Sequence, residues 1–247
     1  MRRRAYAAAA ALLCALLGPQ GEAAAAPSAV SGWATAGPGT TGGAGAAPGS
    51  VHVVRTRAEL KAALANHGDP AAPKVIRVTG HLNGNETDDG RLLGAQDYAP
   101  GWDLRRYMDC FGPDGTSWSD DRYEWCKRMR TLRVTGSNAQ KQQIQLTVPS
   151  NTTLLGTGRD AALLGVYLTV NTGRNIVIRN LRFEAPTDHF PSWDPGDGAT
   201  GAWNARFDAL SVVTGRNIWI EPLRLLRRPL PHQPGRRRIP RQARRTP

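Results

Sequence analysis

Residues 150–220 say the same thing more than once. Thr172-Gly173-Arg174-Asn175-Ile176-Val177-Ile178 returns 42 positions later as Thr214-Gly215-Arg216-Asn217-Ile218-Trp219-Ile220. A looser version, Ser150-Asn151-Thr152-Thr153-Leu154-Leu155-Gly156, sets Asn151 24 positions before Asn175. Each version is a polar turn holding Gly or Asn, followed by a short β-branched alternating run. That is how a strand reads when it opens after a tight bend. Repetition at this period points to stacked coils that bury their apolar faces only against their neighbours. Three or four coils are expected, with loops projecting to one side.

The net charge of +12 suggests nucleic acid until it is located. Residues 221–247 hold nine Arg and one Glu, and residues 1–26 hold three Arg and Glu22, which leaves the body at only +2. No basic binding face is implied there. Residues 1–26 read as a secretory signal. Arg2-Arg3-Arg4 is the charged start, Ala7 to Leu17 is an apolar run too short to span a bilayer, and Ala23 to Ala26 offer a cleavage site. A membrane anchor is the competing reading. The expected product is secreted and extracellular, with no membrane contact once the signal is removed, and monomeric. Cys14 leaves with the signal. Cys110 and Cys126 are then expected to pair, closing a loop that adds about 3 kcal/mol in the chain-entropy model. Their spacing is not that of a zinc site.

Residues 27–50 are rich in Gly and Ala and carry no apolar period. Gly37-Pro38-Gly39-Thr40-Thr41-Gly42 spells a dinucleotide fingerprint, but no strand precedes it and no helix follows, so a cofactor role is set aside. Val51 to Arg55 reads as a strand. Thr56 with Glu59 makes a capping box for a helix whose stripe is Leu60, Ala63 and Leu64, and Val75 to Leu82 alternates as a strand. Residues 83–140 read as a polar, loop-rich insertion holding Tyr98, Trp102, Tyr107, Trp118, Tyr123 and Trp125. Those aromatics either stack on sugar rings or form the small core that packs the insertion. Gln143 to Val148 resumes the strand pattern. A second loop, 185–206, holds Trp193, Asp194, Asp197 and Trp203.

These residues also carry a family likeness. Ser31-Gly32-Trp33-Ala34, Gly39-Thr40-Thr41-Gly42-Gly43, Asn151 to Gly158 and Asn175 to Leu181 resemble the secreted bacterial pectate lyases. So do Asp188-His189-Phe190-Pro191-Ser192-Trp193-Asp194-Pro195 and Phe207-Asp208-Ala209-Leu210. The resemblance runs from about 31 to 220 and implies an all-β fold, a right-handed parallel β-helix with a short N-terminal capping helix. It also implies Ca2+ dependence and β-elimination on polygalacturonate, the backbone of pectin. Elimination removes the proton at C5, α to a carboxylate, and a cation beside that carboxylate stabilises the charge that develops. Calcium takes six to eight oxygens, commonly several from carboxylates. The resemblance sets its first carboxylate at Asp208. Asp194 and Asp197 are weaker candidates that read better as a turn with Gly198.

The pattern then breaks. The family continues past Trp-Ile with Asp-His, whereas this chain has Glu221-Pro222. The further calcium carboxylates, the Lys and the Arg base that the family places downstream have no counterpart in 221–247, so no catalytic residue is assigned. That segment is Arg- and Pro-rich and is expected to be a disordered tail, with its prolines interrupting any ladder. Pro222 to Pro229 can be encoded so that a one-base shift reads His-Cys-Ala-Phe-Ser-Asp-Ala, which suggests a frameshift near residue 221 in a longer lyase. The remaining readings are a secreted β-helix that binds carbohydrate without cleaving it, a neighbouring pectin lyase or polygalacturonase, and a nucleic-acid binder using the Arg tail.

Overall fold

The computed structural model describes residues 30–113 and 115–226. The signal-like segment 1–26 and the tail from 227 to 247 lie outside the described residues. Strand β1 (Val51–Val54) leads into helix α1 (Arg57–Ala65). Thr56 accepts the Glu59 amide, while the Glu59 carboxylate accepts from the Thr56 amide, which completes the capping box. Leu60, Ala63 and Leu64 are buried and join the main core at its β1 end. Strand β2 (Lys74–Asn83) follows and pairs parallel to β1.

The insertion is more helical than its sequence suggests. It holds α2 (Ala95–Tyr98), α3 (Leu104–Asp109) and the 19-residue α4 (Cys126–Ile144). Because α4 runs to Ile144, the strand expected from Gln143 starts at Gln145 instead. The Cys110–Cys126 disulfide is formed, with 5.5 Å between its Cα atoms, and ties the end of α3 to the start of α4. Trp102, Tyr107, Phe111, Met129 and Phe190 form a second apolar core between this insertion and the 185–206 loop. Gly136 lets α4 approach: a Cβ there would meet the Phe190 ring at 2.3 Å.

The repeats become coils. One coil runs through β3 (Gln145–Thr147) and the long β4 (Thr152–Leu164). The next runs through β5 (Tyr167–Asn171), β6 (Arg174–Arg179) and β7 (Leu181–Glu184). A short antiparallel hairpin, β8 (Ser192–Asp194) and β9 (Ala202–Asn204), then projects from the stack. The third coil runs through β10 (Leu210–Val213), β11 (Arg216–Ile220) and β12 (Leu223–Leu226).

Every coil-to-coil pairing is parallel, and the register reproduces the sequence periods. Thr152 lies against Ile176 and Leu154 against Ile178, the 24-residue offset of the looser repeat. Leu210 lies against Leu168, Ile218 against Ile176 and Leu223 against Leu181, the 42-residue offset. The second offset is longer because the 185–206 loop lies within that turn of the coil. Leu146, Leu154, Leu163, Leu168, Ile176, Ile178 and Phe183 fill the interior as stacked apolar columns. This is a parallel β-helix. The strand β12 corrects the expectation that pairing stops at 220. Pro222 has no N–H to donate, but its carbonyl accepts from Asn180, so a proline is tolerated just before the strand begins.

The corners are set by residues with left-handed backbone: Asn151, Thr172, Asn175, Asn180, Thr214 and Asn217 all have φ between 51° and 57°. Asn tolerates this region better than other side-chain-bearing residues. Asn175 also stitches coils together. Its Oδ1 accepts from the Thr41 and Gly42 amides, both at 2.8 Å, and its Nδ2 donates to Gly42 O and Asn151 Oδ1. The glycine-rich segment is therefore a strap across the coils, and Gly43 passes so close that a Cβ would meet Lys74 O at 1.9 Å. Asn175→Ala orphans two strap amides and puts alanine in a left-handed turn, so it should lower stability by about 3 kcal/mol. Asn175→Gly keeps the turn and should lose roughly half of that. Urea unfolding of the two variants checks the order.

Candidate functional site

The sheet β3–β5–β10 alternates inward and outward as strands must. Leu146, Leu168 and Leu210 point into the core. The next position on each strand is a hydroxyl, and Thr147, Thr169 and Ser211 fall in one register column. The Thr147 and Thr169 hydroxyls are 3.1 Å apart, and Gln145 Nε2 donates to Thr169 Oγ1 at 3.4 Å. Ser211 Oγ donates to Asp208 Oδ2 at 2.8 Å. The carboxylate singled out in the sequence thus stands exposed at the turn opening β10, at one end of a polar column on the outer face.

At the other end of the column, α4 and the end of the 185–206 loop border two adjoining open depressions. One, of about 510 Å3, is lined by Asn138, Lys141, Gln142, Gln145, Thr147 and Arg206. The other, of about 330 Å3, lies between Arg133, Ser137 and Phe190 and includes Asp188. Arg206 belongs to both. Its Nη1 donates to Ser137 Oγ and to Asn138 Oδ1, which fixes the guanidinium against α4. Asp188 is spent on the backbone: its two oxygens accept from the Phe190 and Arg206 amides, each at 2.9 Å.

Asp194 and Asp197 form a turn. Asp194 Oδ1 accepts the Gly196 amide, and the Asp197 amide donates to Asp194 O. Among the described residues no three His, Cys, Asp or Glu side chains gather closely enough to hold a metal ion. The aromatic insertion packs. Trp102 and Tyr107 are buried, and the indole N–H groups of Trp102, Trp118 and Trp193 donate to His189 O, Asp120 and Gly115 O. Tyr123 is the exposed member, 44% accessible, and it stacks on Trp125 at 4.6 Å.

A pectate lyase family model matches residues 132–228, which cover the face and all three coils. Over that segment the chain carries a pectate lyase family domain. It is 33% identical over 191 residues to a pectate lyase of Bacillus subtilis (strain 168), covering 77% of this chain and 44% of that relative. It is 30% identical over 190 residues to pectate lyase E of Dickeya chrysanthemi, covering 77% of this chain and 35% of the relative. Among solved structures, the thermostable pectate lyase PL 47 superposes with a TM-score of 0.68 at 37% identity, covering 76% of this chain and 46% of that one. A pectate lyase bound to a hexasaccharide gives 0.68 at 33%, with the same coverages. The chain therefore spans less than half the length of the relatives it matches.

Sequence reasoning singled out Asp208 as a candidate and did not point to the column or the cavities. The column was within reach, because Thr147, Thr169 and Ser211 are separated by 22 and 42 positions, offsets at which these strands pair. Lys141 and Arg206 carry no such mark, since one sits on an unforeseen helix and the other in a loop.

The 188–190 segment beside the smaller cavity is sensitive to acid. Burial holds the His189 imidazole below its usual value, with Asp188 partly opposing. A depressed value means that the unfolded chain binds the proton more readily. The stability from neutral His189 is therefore full above its unfolded value near 6.5 and is lost as pH falls through the lower folded value. The urea midpoint should drop as pH falls below about 6.5, and His189→Gln should flatten that drop.

Proposed function

We propose that this chain takes part in pectin breakdown, as a secreted, monomeric protein of the pectate lyase family that engages α-1,4-polygalacturonate and does not cleave it. The observation carrying this reading is the outer face of β3–β5–β10, where exposed Asp208, the Thr147 and Ser211 hydroxyls on either side of buried Thr169, and the cations Lys141 and Arg206 lie on one strip. The hexasaccharide held by a solved relative supports a sugar polymer as the partner. The Cys110–Cys126 bridge supports an oxidising compartment, and hence export. Packing has consumed most of the insertion's aromatics, which argues against their gripping sugar.

The family chemistry is calcium-assisted β-elimination, and Asp208 is the residue that would contribute to the cation. It offers two oxygens of the six to eight that calcium takes, and one already accepts from Ser211. The described residues do not make a calcium site by themselves, and no step is assigned to an ion here. Nor does the sequence after Ile220 supply a base for the C5 proton, since it reads Glu221-Pro222 and then an Arg- and Pro-rich run. A one-base frame shift near codon 221 accounts for that run. The gene's DNA should then continue in a neighbouring frame with His-Cys-Ala-Phe-Ser-Asp-Ala.

The purified 247-residue protein, incubated with polygalacturonate and calcium, should give no rise in the ultraviolet absorbance of unsaturated uronide. A rise abolished by a calcium chelator would contradict the proposed inactivity and leave the family assignment intact.

A further inference from the structure

His52 on β1 and His67 just past α1 meet at the capping end of the coil stack, with ring centroids 5.5 Å apart and planes tilted by 42°. The backbone brings them together. After Ala65 the chain turns back through two consecutive left-handed residues, Asn66 at φ 45° and His67 at φ 55°. His67 thereby reaches the segment before β1, where its Nε2 lies 3.2 Å from Gly49 O. His52 Nε2 lies 3.1 Å from Oδ1 of Asn66, a residue that is itself buried.

These contacts fix the protons. Asp69 O can only accept, so the Asn66 side chain bonds to it through Nδ2, at 3.1 Å, and turns its Oδ1 to His52. That oxygen is an acceptor as well, so His52 Nε2 carries the proton, and Gly49 O imposes the same on His67 Nε2. In each neutral ring the proton is therefore committed to Nε2 and the lone pair to Nδ1. Neither Nδ1 has a hydrogen-bond partner among the described residues. A ring N–H held by a carbonyl oxygen, with the other nitrogen bare, is the arrangement that orients a histidine toward a metal ion.

A metal bonded at about 2.1 Å to a ring nitrogen lies roughly 3 Å from that ring's centre, so two rings at 5.5 Å can share one ion. Imidazole nitrogen suits zinc, copper or nickel, whereas calcium takes oxygen. We propose that His52 and His67 form a binding site for a late first-row divalent ion, held through both Nδ1 atoms and completed by water. The ion ties the end of α1 to the start of β1 and so pins the capping end of the stack. His67 is exposed, which gives the ion a way in. With two protein ligands rather than the three or four of a dedicated zinc centre, the site is an exchangeable one. It shares no residue with the β3–β5–β10 face and stands apart from the proposed sugar partner.

The test is calorimetric titration of the full, untagged 247-residue chain with zinc chloride in a buffer free of chelators. One zinc ion per chain is expected, and a large excess of calcium chloride is expected not to displace it. His67→Asn keeps a residue that tolerates the left-handed turn and is expected to weaken zinc binding by about tenfold or more, as is His52→Gln. His81→Gln, on another strand, is expected to bind zinc as the unaltered chain does. Saturating zinc should raise the urea midpoint of the unaltered chain and of His81→Gln but not that of His67→Asn. Circular dichroism of the metal-free variants checks that each keeps the fold. Zinc binding that His67→Asn and His52→Gln leave unchanged would overturn the site. So would displacement of zinc by calcium, loss of binding in His81→Gln, or no binding to the unaltered chain.

Discussion

The left-handed corner at Asn175 is the constraint on which the rest of the molecule depends. A flat strand carries its neighbours away from one another, whereas a coil must turn inward after a few residues and return over itself. At each such corner the backbone takes a conformation that costs most L-residues 1–2 kcal/mol, and here it falls on Asn or Thr. Asn175 offsets part of that cost by using its amide twice over, against Asn151 in the coil before and against the Thr41–Gly42 strap outside. Where the corners lie in register the strands between them lie in register, and apolar residues stack in columns that no single coil could bury alone.

The same regularity builds the outer face. Since each strand alternates, a core column of Leu146, Leu168 and Leu210 requires a neighbouring outer column one residue along, and that column is Thr147, Thr169 and Ser211. The interior is thus tied to the outer strip by geometry: a one-residue slip would send the hydroxyls inward and the leucines outward. The insertion plays a different part. Its disulfide and aromatic core hold α4 against the 188–190 segment, and this contact brings Lys141 on α4 beside Arg206 in the following loop. The aromatics act as a mount for the charged groups.

The coil architecture was legible because stacking imprints a period on the chain. The repeat at 151, 175 and 217 carries the offsets of 24 and 42 at which the strands pair, and the capping box at Thr56 marks the start of α1. Helix α4 was not legible. Its buried side includes Gly136, Ser137 and Gln140 alongside Met129 and Ile144, so the usual apolar stripe is diluted by small and polar residues that fit under Phe190 and the 187–189 backbone. Strand β12 was obscured by Arg224 and by the prolines at 222 and 229 on either side of it, although Leu223, Leu225 and their partners on β7 keep the ladder. Asp208 was singled out through family likeness. Lys141 and Arg206, 65 positions apart, meet only through the tertiary fold.

Amide hydrogen exchange, measured on the whole chain with and without an unesterified galacturonate hexamer, tests the central claim that the β3–β5–β10 face receives the acidic polymer. The account predicts slowed exchange in residues 138–147, 167–169 and 206–211, with the aromatic insertion around 98–125 unchanged. Protection confined to that insertion, or to the opposite face at β2 and β4, would contradict it.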